Sequence, residues 1–527
     1  MAKGYFALVL HAHLPFIHHP EHKSFLEEKW FYEGMTETYI PLAAMLDELE
    51  SRNIRCRLTM SITPPLAEMI VTSTLRDRYN AHLDMLLELA GREVGKKKGT
   101  PFEHAAKHNV ERLEMVRSVY RGKWKCDLIA AFRHHMEAGS LEILTCAATH
   151  AFLPFIQNRA ALNAQLRIAV ENYKKHFGRP PKGLWLPECA YYDGMDAAIA
   201  AAGIEYFFMD SHGLLFAEPA PRMGMFRPVR TKAGPSAFGR DIESSKSVWS
   251  ASEGYPGDGV YREFYRDLGY DAPFEDVALF FDPDGVRRDI GLKYHRVTGR
   301  VELHLKEPYI PAAAFAKARE HAGNFLFNRK HQVAHIAGAY RNEPVIISPY
   351  DAELFGHWWY EGPEFLKSIF EQADGFKDDF EIATTLECLR KAPPVETVDV
   401  AASSWGDKGY YEVWLNGTND WVYRHLHVAE DRMAELAAKF TAPDALQKRA
   451  LNQAARELVL AEASDWPFIM TNQSTVPYSH NRVKNHLTNF GKLYSMLMAG
   501  AVDANLVSEL EWKNTIFQEI DFSAYRG

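Results

Sequence analysis

Glu188 and Asp351 are the residues of this 527-residue chain whose type and setting most suggest chemistry. Each closes a short apolar run and stands among aromatic side chains. LWLP precedes Glu188, with Trp185 and Tyr191 nearby; VIISPY precedes Asp351, with Tyr350, Trp358 and Trp359 nearby. A carboxylate at a strand end can simply cap a helix. Two carboxyls held across a pocket do more, because together they support double displacement at a glycosidic bond. One attacks the anomeric carbon. The other protonates the leaving oxygen and later deprotonates the acceptor. Retention of configuration needs the two about 5–5.5 Å apart, a distance that only the fold can set.

His11 and His13, in HAHLP, stand at i and i+2 and so face one side of a strand. Three readings are open. The rings bond substrate hydroxyls, or form a metal pair completed by His150 and Asp210, or finish a sheet edge. Cys189 beside Glu188, with His150 as base, is a further nucleophile reading. It has no local signature, and a free cysteine is more often a buried apolar residue. The stretch SPYDAELFGHWWYEGPEF (residues 348–365) crowds Asp351, Glu353, His357 and Glu361 among aromatics. The i, i+4 spacings of His357 with Glu353 and Glu361 would suit one helix face. Gly356 and Pro363 oppose a long helix there, and a polar, aromatic sugar site explains the mixture better.

These residues need elements to hold them. Apolar runs at 5–10, 54–60, 141–146, 183–187, 204–209 and 344–348 read as strands. Helical patterns at 38–51, 161–177, 194–202 and 312–341 lie between them. Strands alternating with helices predict a parallel sheet. The polar residues collect after the C-terminal ends of the runs, as at the active face of a β/α barrel. An open doubly wound sheet uses the same edge. No G-x-G-x-x-G or G-x-x-x-x-G-K-[ST] sits at a strand–helix turn, which speaks against a nucleotide site. A barrel is the expectation.

Two segments break the alternation. Residues 74–139 are charged and helical, an inserted subdomain. Residues 401–527 read as a C-terminal helical domain, with helices at 421–440, 442–462 and 479–498. The barrel then comprises 1–73 and 140–400. Residues 230–265 are rich in Gly, Ser, Pro and Asp without periodicity, as a lid would be.

Composition excludes several classes. The net charge is -9, so there is no basic surplus to neutralise phosphates or anionic lipid. No apolar stretch approaches membrane-span length. The apolar start before His11 is too short for a signal core. The 5 cysteines are scattered without C-x-x-C, which fits reduced thiols in a cytoplasm. The Lys96–Lys98 run reads as a solvated loop. Aromatics make up 13% of the chain, and Trp405 and Trp466 stand in polar company, which suits sugars as well as interfaces.

Taken in order, HAHLP, TCAATHAFLP (145–154), WLPECAY (185–191), SPYDAELFGHWW (348–359) and SSWGDKGYYEVWLNGTNDW (403–421) resemble the signature regions of glycoside hydrolase family 57. VWSASEGYPGDGVYREFYRD (248–267) looks most like its 1,4-α-glucan branching enzymes. The resemblance spans nearly the whole chain. It implies an incomplete seven-stranded β/α barrel with an inserted helical domain and a C-terminal helical domain. It also implies a retaining mechanism on α-1,4-glucans without metal or cofactor, with Glu188 as nucleophile and Asp351 as acid/base. His11, His13 and His150 fall on motif positions near the donor sugar. Arg262, Gly291, Trp405 and Asp465 fall on substrate-contact positions, with Trp414 and Trp466 as stacking platforms. Branching members carry a loop over the site, often with a tyrosine near its tip. The comparable segment here, 231–247, has Phe238 but no tyrosine, so an α-amylase or 4-α-glucanotransferase is the alternative. A metal-dependent hydrolase using the three histidines is a second alternative. A non-catalytic glucan-binding protein, which needs neither acid, is a third.

Overall fold

A computed structural model of the protein describes residues 3–250, 253–281 and 284–526. Its centre is strand β1, Tyr5–Ala12. The sequence YFALVLHA is buried on both faces, as a central parallel strand must be. On one side β1 pairs in parallel with β2, Leu58–Ile62, which pairs with β3, Leu141–Leu144. A second parallel sheet holds β4, Gly183–Leu184; β5, Tyr206–Met209; and β7, Ser236–Gly239. The short β6, Val229–Arg230, runs antiparallel to β7. On its other side β1 pairs along its length with β8, Val345–Asp351, while β9, Glu381–Ile382, pairs with the start of β1 on the β2 side.

The register decides which residues meet. His11 lies opposite Ser61 on β2 and opposite Asp351 on β8. Three strand ends therefore deliver a histidine, a serine and a carboxylate side by side.

The two sheets also touch each other. Trp185 N–H bonds to the Thr145 carbonyl at 2.9 Å, and Asp241 N–H bonds to the Ile347 carbonyl at 2.8 Å. Side chains of both sheets, among them Val9, Trp185, Phe208, Phe238 and Ile347, share one buried cluster.

Helices follow the expected pattern closely. Ile40–Ser51, Arg159–Phe177, Met195–Ala201 and Pro311–Tyr340 link the strands. The segment expected to be helical without strands folds as Ser73–Lys97, Glu103–Arg117 and Leu128–Glu137. At the C-terminal end, Trp421–Lys439, Ala445–Ala461 and Val476–Ala499 pack together, joined by Asp465–Asn472 and Ala504–Lys513. Asp444 and Gln447 form a reciprocal capping box that starts the second of these. Among the described residues, no helix is long and apolar enough to cross a membrane. All five cysteines are free.

One expectation fails. Residues 231–247 are not a lid. Phe238 is buried on β7, paired with Phe208, and Ile242–Trp249 is a helix. The run SAFG is too short and too rich in small residues to show strand periodicity, so its pairing with β5 decides its structure. Ala251 and Ser252, within the motif 248–267, lie outside the described residues.

Candidate functional site

Glu188 projects from a tight 3-10 turn, Pro187–Cys189, after β4. Pro187 opens the turn, and Trp185 and Leu186 separate it from the end of β4. Glu188 then takes φ 61°, and Cys189 φ 49°, both in the left-handed region. Such a conformation in a non-glycine residue costs about 1–3 kcal/mol and persists only where surroundings hold it. The holders are visible. Trp405 N–H bonds to the Glu188 carbonyl at 2.9 Å. Trp405 Nε1–H donates to Oε2 at 2.8 Å, and Ser464 Oγ–H donates to Oε1 at 2.9 Å. Each carboxylate oxygen thus has its own donor. Burial pushes the Glu188 carboxyl up to about 7, against those two hydrogen bonds.

Asp351, at the end of β8, behaves differently. Among the described residues, no hydrogen bond ties down its carboxyl. Burial, then the Glu353 and Glu188 carboxylates, push its pKa well above the usual aspartate range, while Arg240 opposes them. Of the two acids, Glu188 is the one held by donors, and Asp351 the one whose burial and acidic neighbours favour the protonated form. That division suits a nucleophile and a general acid.

The histidines stack in a row. His11 lies over Trp185 with ring centroids 4.5 Å apart, and His13 over His150 at 3.8 Å. His11 Nδ1 meets Ser61 Oγ at 2.6 Å, and His11 Nε2 meets His150 Nε2 at 2.9 Å. His150 Nδ1 meets Ser464 Oγ at 2.8 Å. Burial, then the neighbouring histidines, hold His11 and His150 well below the usual imidazole range, so both are neutral. Burial also opposes the charge on His13, but Asp465, at 3.1 Å from Nε2, outweighs it and raises that imidazole. The other His13 nitrogen bonds Thr63 Oγ1 at 3.0 Å.

His13, His150 and Asp465 bring one ligand-type atom each within 4.8 Å of one another. Every one of these atoms is already engaged. His13 is ion-paired to Asp465, and the His150 Nε2 faces His11. Asp210, considered as a further ligand, instead pairs with His212 at 3.1 Å and Arg240 at 3.4 Å.

Of the other expected residues, Trp405 and Asp465 join Glu188, and Trp414 and Trp466 do not present open faces. Trp414 is 1% exposed and stacks on Phe152 at 4.7 Å. Trp466 is also 1% exposed, and its Nε1–H donates to the Leu460 carbonyl. Neither ring has a free face for a sugar; both pack the C-terminal helices against the site. Arg262 and Gly291 line a different cavity, of about 40 Å³, with Glu33, Glu37, Arg112 and Tyr360. Arg262 bonds Glu37 at 2.9 Å and lies 3.7 Å over Tyr360. Gly291, at φ 94°, donates its N–H to Asp267 at 2.9 Å. Cys189 is fully buried, and burial raises its thiol well above the usual range, which removes it as a nucleophile.

Sequence reasoning missed Ser464, Ser61 and Tyr39, and noted Glu353 without its link to His13. Glu353 accepts from His13 N–H at 3.1 Å and from Tyr39 O–H at 2.5 Å, fixing the backbone at His13 just past the end of β1. Serines and single tyrosines carry no spacing signal. Only for Ser464 was there a hint, its place beside Asp465 and Trp466.

Comparison with known proteins places the whole chain. Residues 7–401 match the model of glycosyl hydrolase family 57, which covers most of the chain. By class the protein is therefore a glycoside hydrolase. The chain belongs to glycosyl hydrolase family 57, as its motifs suggest. Residues 425–525 match the C-terminal model of 1,4-alpha-glucan branching enzymes. The chain is 31% identical to the 1,4-alpha-glucan branching enzyme TK1436 of Thermococcus kodakarensis, over 99% of this chain and 78% of that protein. Among solved structures it resembles the GH57-type branching enzyme of Pyrococcus horikoshii, at 32% identity and TM-score 0.89, covering 100% and 97% of the two chains. It also resembles the alpha-amylase AmyC of Thermotoga maritima, at 45% identity and TM-score 0.93, covering 99% of each.

Proposed function

We propose that the protein is a 1,4-alpha-glucan branching enzyme that works by retaining double displacement. The observation that carries the chemistry is the division between the two acids. Glu188 has a donor on each oxygen, while Asp351 has none and its surroundings favour the protonated form. Glu188 attacks the anomeric carbon as Asp351 protonates the departing 4-oxygen. The glucan chain is then esterified to Glu188, whose negative charge is gone. One of the influences that raised Asp351 disappears with it, so Asp351, having given its proton to the leaving oxygen, stays ionised and takes the proton of the incoming hydroxyl. A 6-hydroxyl acceptor gives a branch, a 4-hydroxyl gives chain exchange, and water gives hydrolysis.

The match of residues 425–525 to the branching-enzyme C-terminal model favours the 6-hydroxyl. The resemblance to AmyC supports hydrolysis as a second reading. Incubation with amylose separates them. New branches released by a debranching enzyme, without a matching rise in reducing ends, are the expected result. Reducing ends without branches would make the protein an amylase.

The remaining readings support this one. The contacts of Thr145 with Trp185 and of Asp241 with Ile347 are consistent with the two sheets forming one incomplete (β/α)7 barrel, 1–73 and 140–400. Residues 74–139 are then the inserted helical subdomain and 401–527 the C-terminal helical domain. His11, His13, His150, Trp405 and Asp465 line the donor sugar. Arg262 and Gly291 contact a more distant part of the glucan. No metal or cofactor is needed, so a chelator leaves the activity intact. Free thiols and an acidic surface favour the cytoplasm.

A further inference from the structure

Glu188 stands at the end of a buried row of hydrogen bonds that runs Ser61, His11, His150, Ser464, Glu188, with contacts of 2.6, 2.9, 2.8 and 2.9 Å. The protons along this row can be assigned by elimination. An ionised carboxylate only accepts, so the single Ser464 hydroxyl proton goes to Glu188. Ser464 Oγ then accepts from His150 Nδ1–H. A neutral His150 has its lone pair on Nε2, which accepts from His11 Nε2–H. His11 is left with its lone pair on Nδ1, and Ser61 Oγ–H fills it. Every group in the row is satisfied.

The reverse direction is not equivalent. If Glu188 were protonated and donated to Ser464, each proton would turn around. His11 Nδ1–H would point at Ser61 Oγ, and the Ser61 proton would need another acceptor. Ser61 is fully buried, and its Oγ has no other hydrogen-bond partner among the described residues. A buried donor without an acceptor is unfavourable.

The structure assigns Ser61 as a positioning residue for the reaction: its buried hydroxyl sets the direction of the hydrogen-bond row, so that the row ends by donating to the nucleophile's Oε1. This rests on reading Glu188 as the nucleophile. Ser61 does not touch substrate. It acts through two histidines and a serine from β1, the loop after β3 and the C-terminal region. Its position on β2, opposite His11 in the register, makes the first contact possible. Other charges face the same carboxylate, Asp465 and His13 from one side and Asp351 from β8; Glu353 and Arg240 act on Asp351, and Arg240 lies over Trp405 at 5.6 Å. Those act in either direction of the row. Ser61 is what distinguishes the directions.

The test is the pH profile of kcat/KM on a maltooligosaccharide. Ser61→Ala is expected to move the acid limb up by about one pH unit, a tenfold loss below the limb with near wild-type rates above it. Ser61→Cys, a weaker donor, is expected to move it by less. Ser464→Ala cuts the row next to Glu188, so adding Ser61→Ala to it should shift the limb no further. A folded Ser61→Ala enzyme with an unmoved limb, or a double variant with additive shifts, would overturn the assignment. Should Ser61→Ala not fold, the Ser61→Cys limb decides in the same way. Activity surviving in Glu188→Gln would instead overturn the nucleophile reading itself.

Discussion

Trp405 grips Glu188 at two points. Its backbone N–H holds the Glu188 carbonyl at 2.9 Å, and its indole N–H holds Oε2 at 2.8 Å. One residue from the C-terminal region therefore fixes both the left-handed backbone of Glu188 and the aim of its carboxylate. Replacing Trp405 with Phe keeps an aromatic ring at the edge of Trp185, 5.1 Å from Trp405, and removes the side-chain donor. A hydrogen bond to a charged group contributes about 1.5–3 kcal/mol. Trp405→Phe should lower kcat/KM by roughly 10–100-fold and move the acid limb upward. An unchanged profile would remove the indole from the mechanism.

Glu188→Gln should abolish turnover on amylose, by about four orders of magnitude or more, while the far-ultraviolet circular dichroism stays native. Asp351→Asn should be milder and substrate-dependent. Loss of a general acid costs about 10²–10⁴-fold where the leaving group needs a proton. On an aryl glycoside with an acidic leaving group the deficit should largely vanish. Equal losses on both substrates would show that Asp351 is not the acid.

Glu188 also makes a stability prediction. Its carboxyl titrates at about 7 in the folded protein, above its ordinary 4.5. A raised carboxyl favours folding most when protonated, below pH 4.5, and that contribution is lost as pH rises through about 7. The loss is on the order of 3 kcal/mol. Glu188→Gln removes the ionisation, so the variant should unfold at a higher temperature than the wild type at pH 8. The gap should close toward pH 5. A gap that is the same at both values would contradict a buried, titrating Glu188.

Gly356 lies in the turn that follows Asp351. Its φ is 121°, and an added Cβ would lie 1.9 Å from the Glu37 carbonyl oxygen. Gly356→Ala must strain the backbone and push the turn away from the helix that carries Glu37. The combined cost is at least about 3 kcal/mol, readable from denaturant midpoints. Activity should fall too, because Glu353 and Asp351 share that turn. An alanine variant with wild-type stability would mean the turn is free to move.

The sequence alone disclosed the parts with a strong local signal. Apolar runs marked six of the strands, periodicity marked the long helices, and the ordered motifs marked the family and both acids. Short pieces were less legible: of the run 183–187 only two residues pair as β4, and β7 was mistaken for part of a lid because SAFG has no period. Their structure comes from pairing with β5, a long-range contact.

The candidate site divides in the same way. Residue types, and their place after apolar runs, pointed to Glu188, Asp351 and the three histidines. Which of them touch could not be read, because it depends on register and on the approach of the C-terminal helices. Register sets His11 between Ser61 and Asp351. Helix packing brings Ser464 and Asp465 to Glu188 and His13, and buries Trp414 and Trp466 rather than exposing them. The chemistry of a side chain is local and is written in its type. Its protonation and its partners depend on burial and distance, which exist only once the strands have paired and the helices have closed over them.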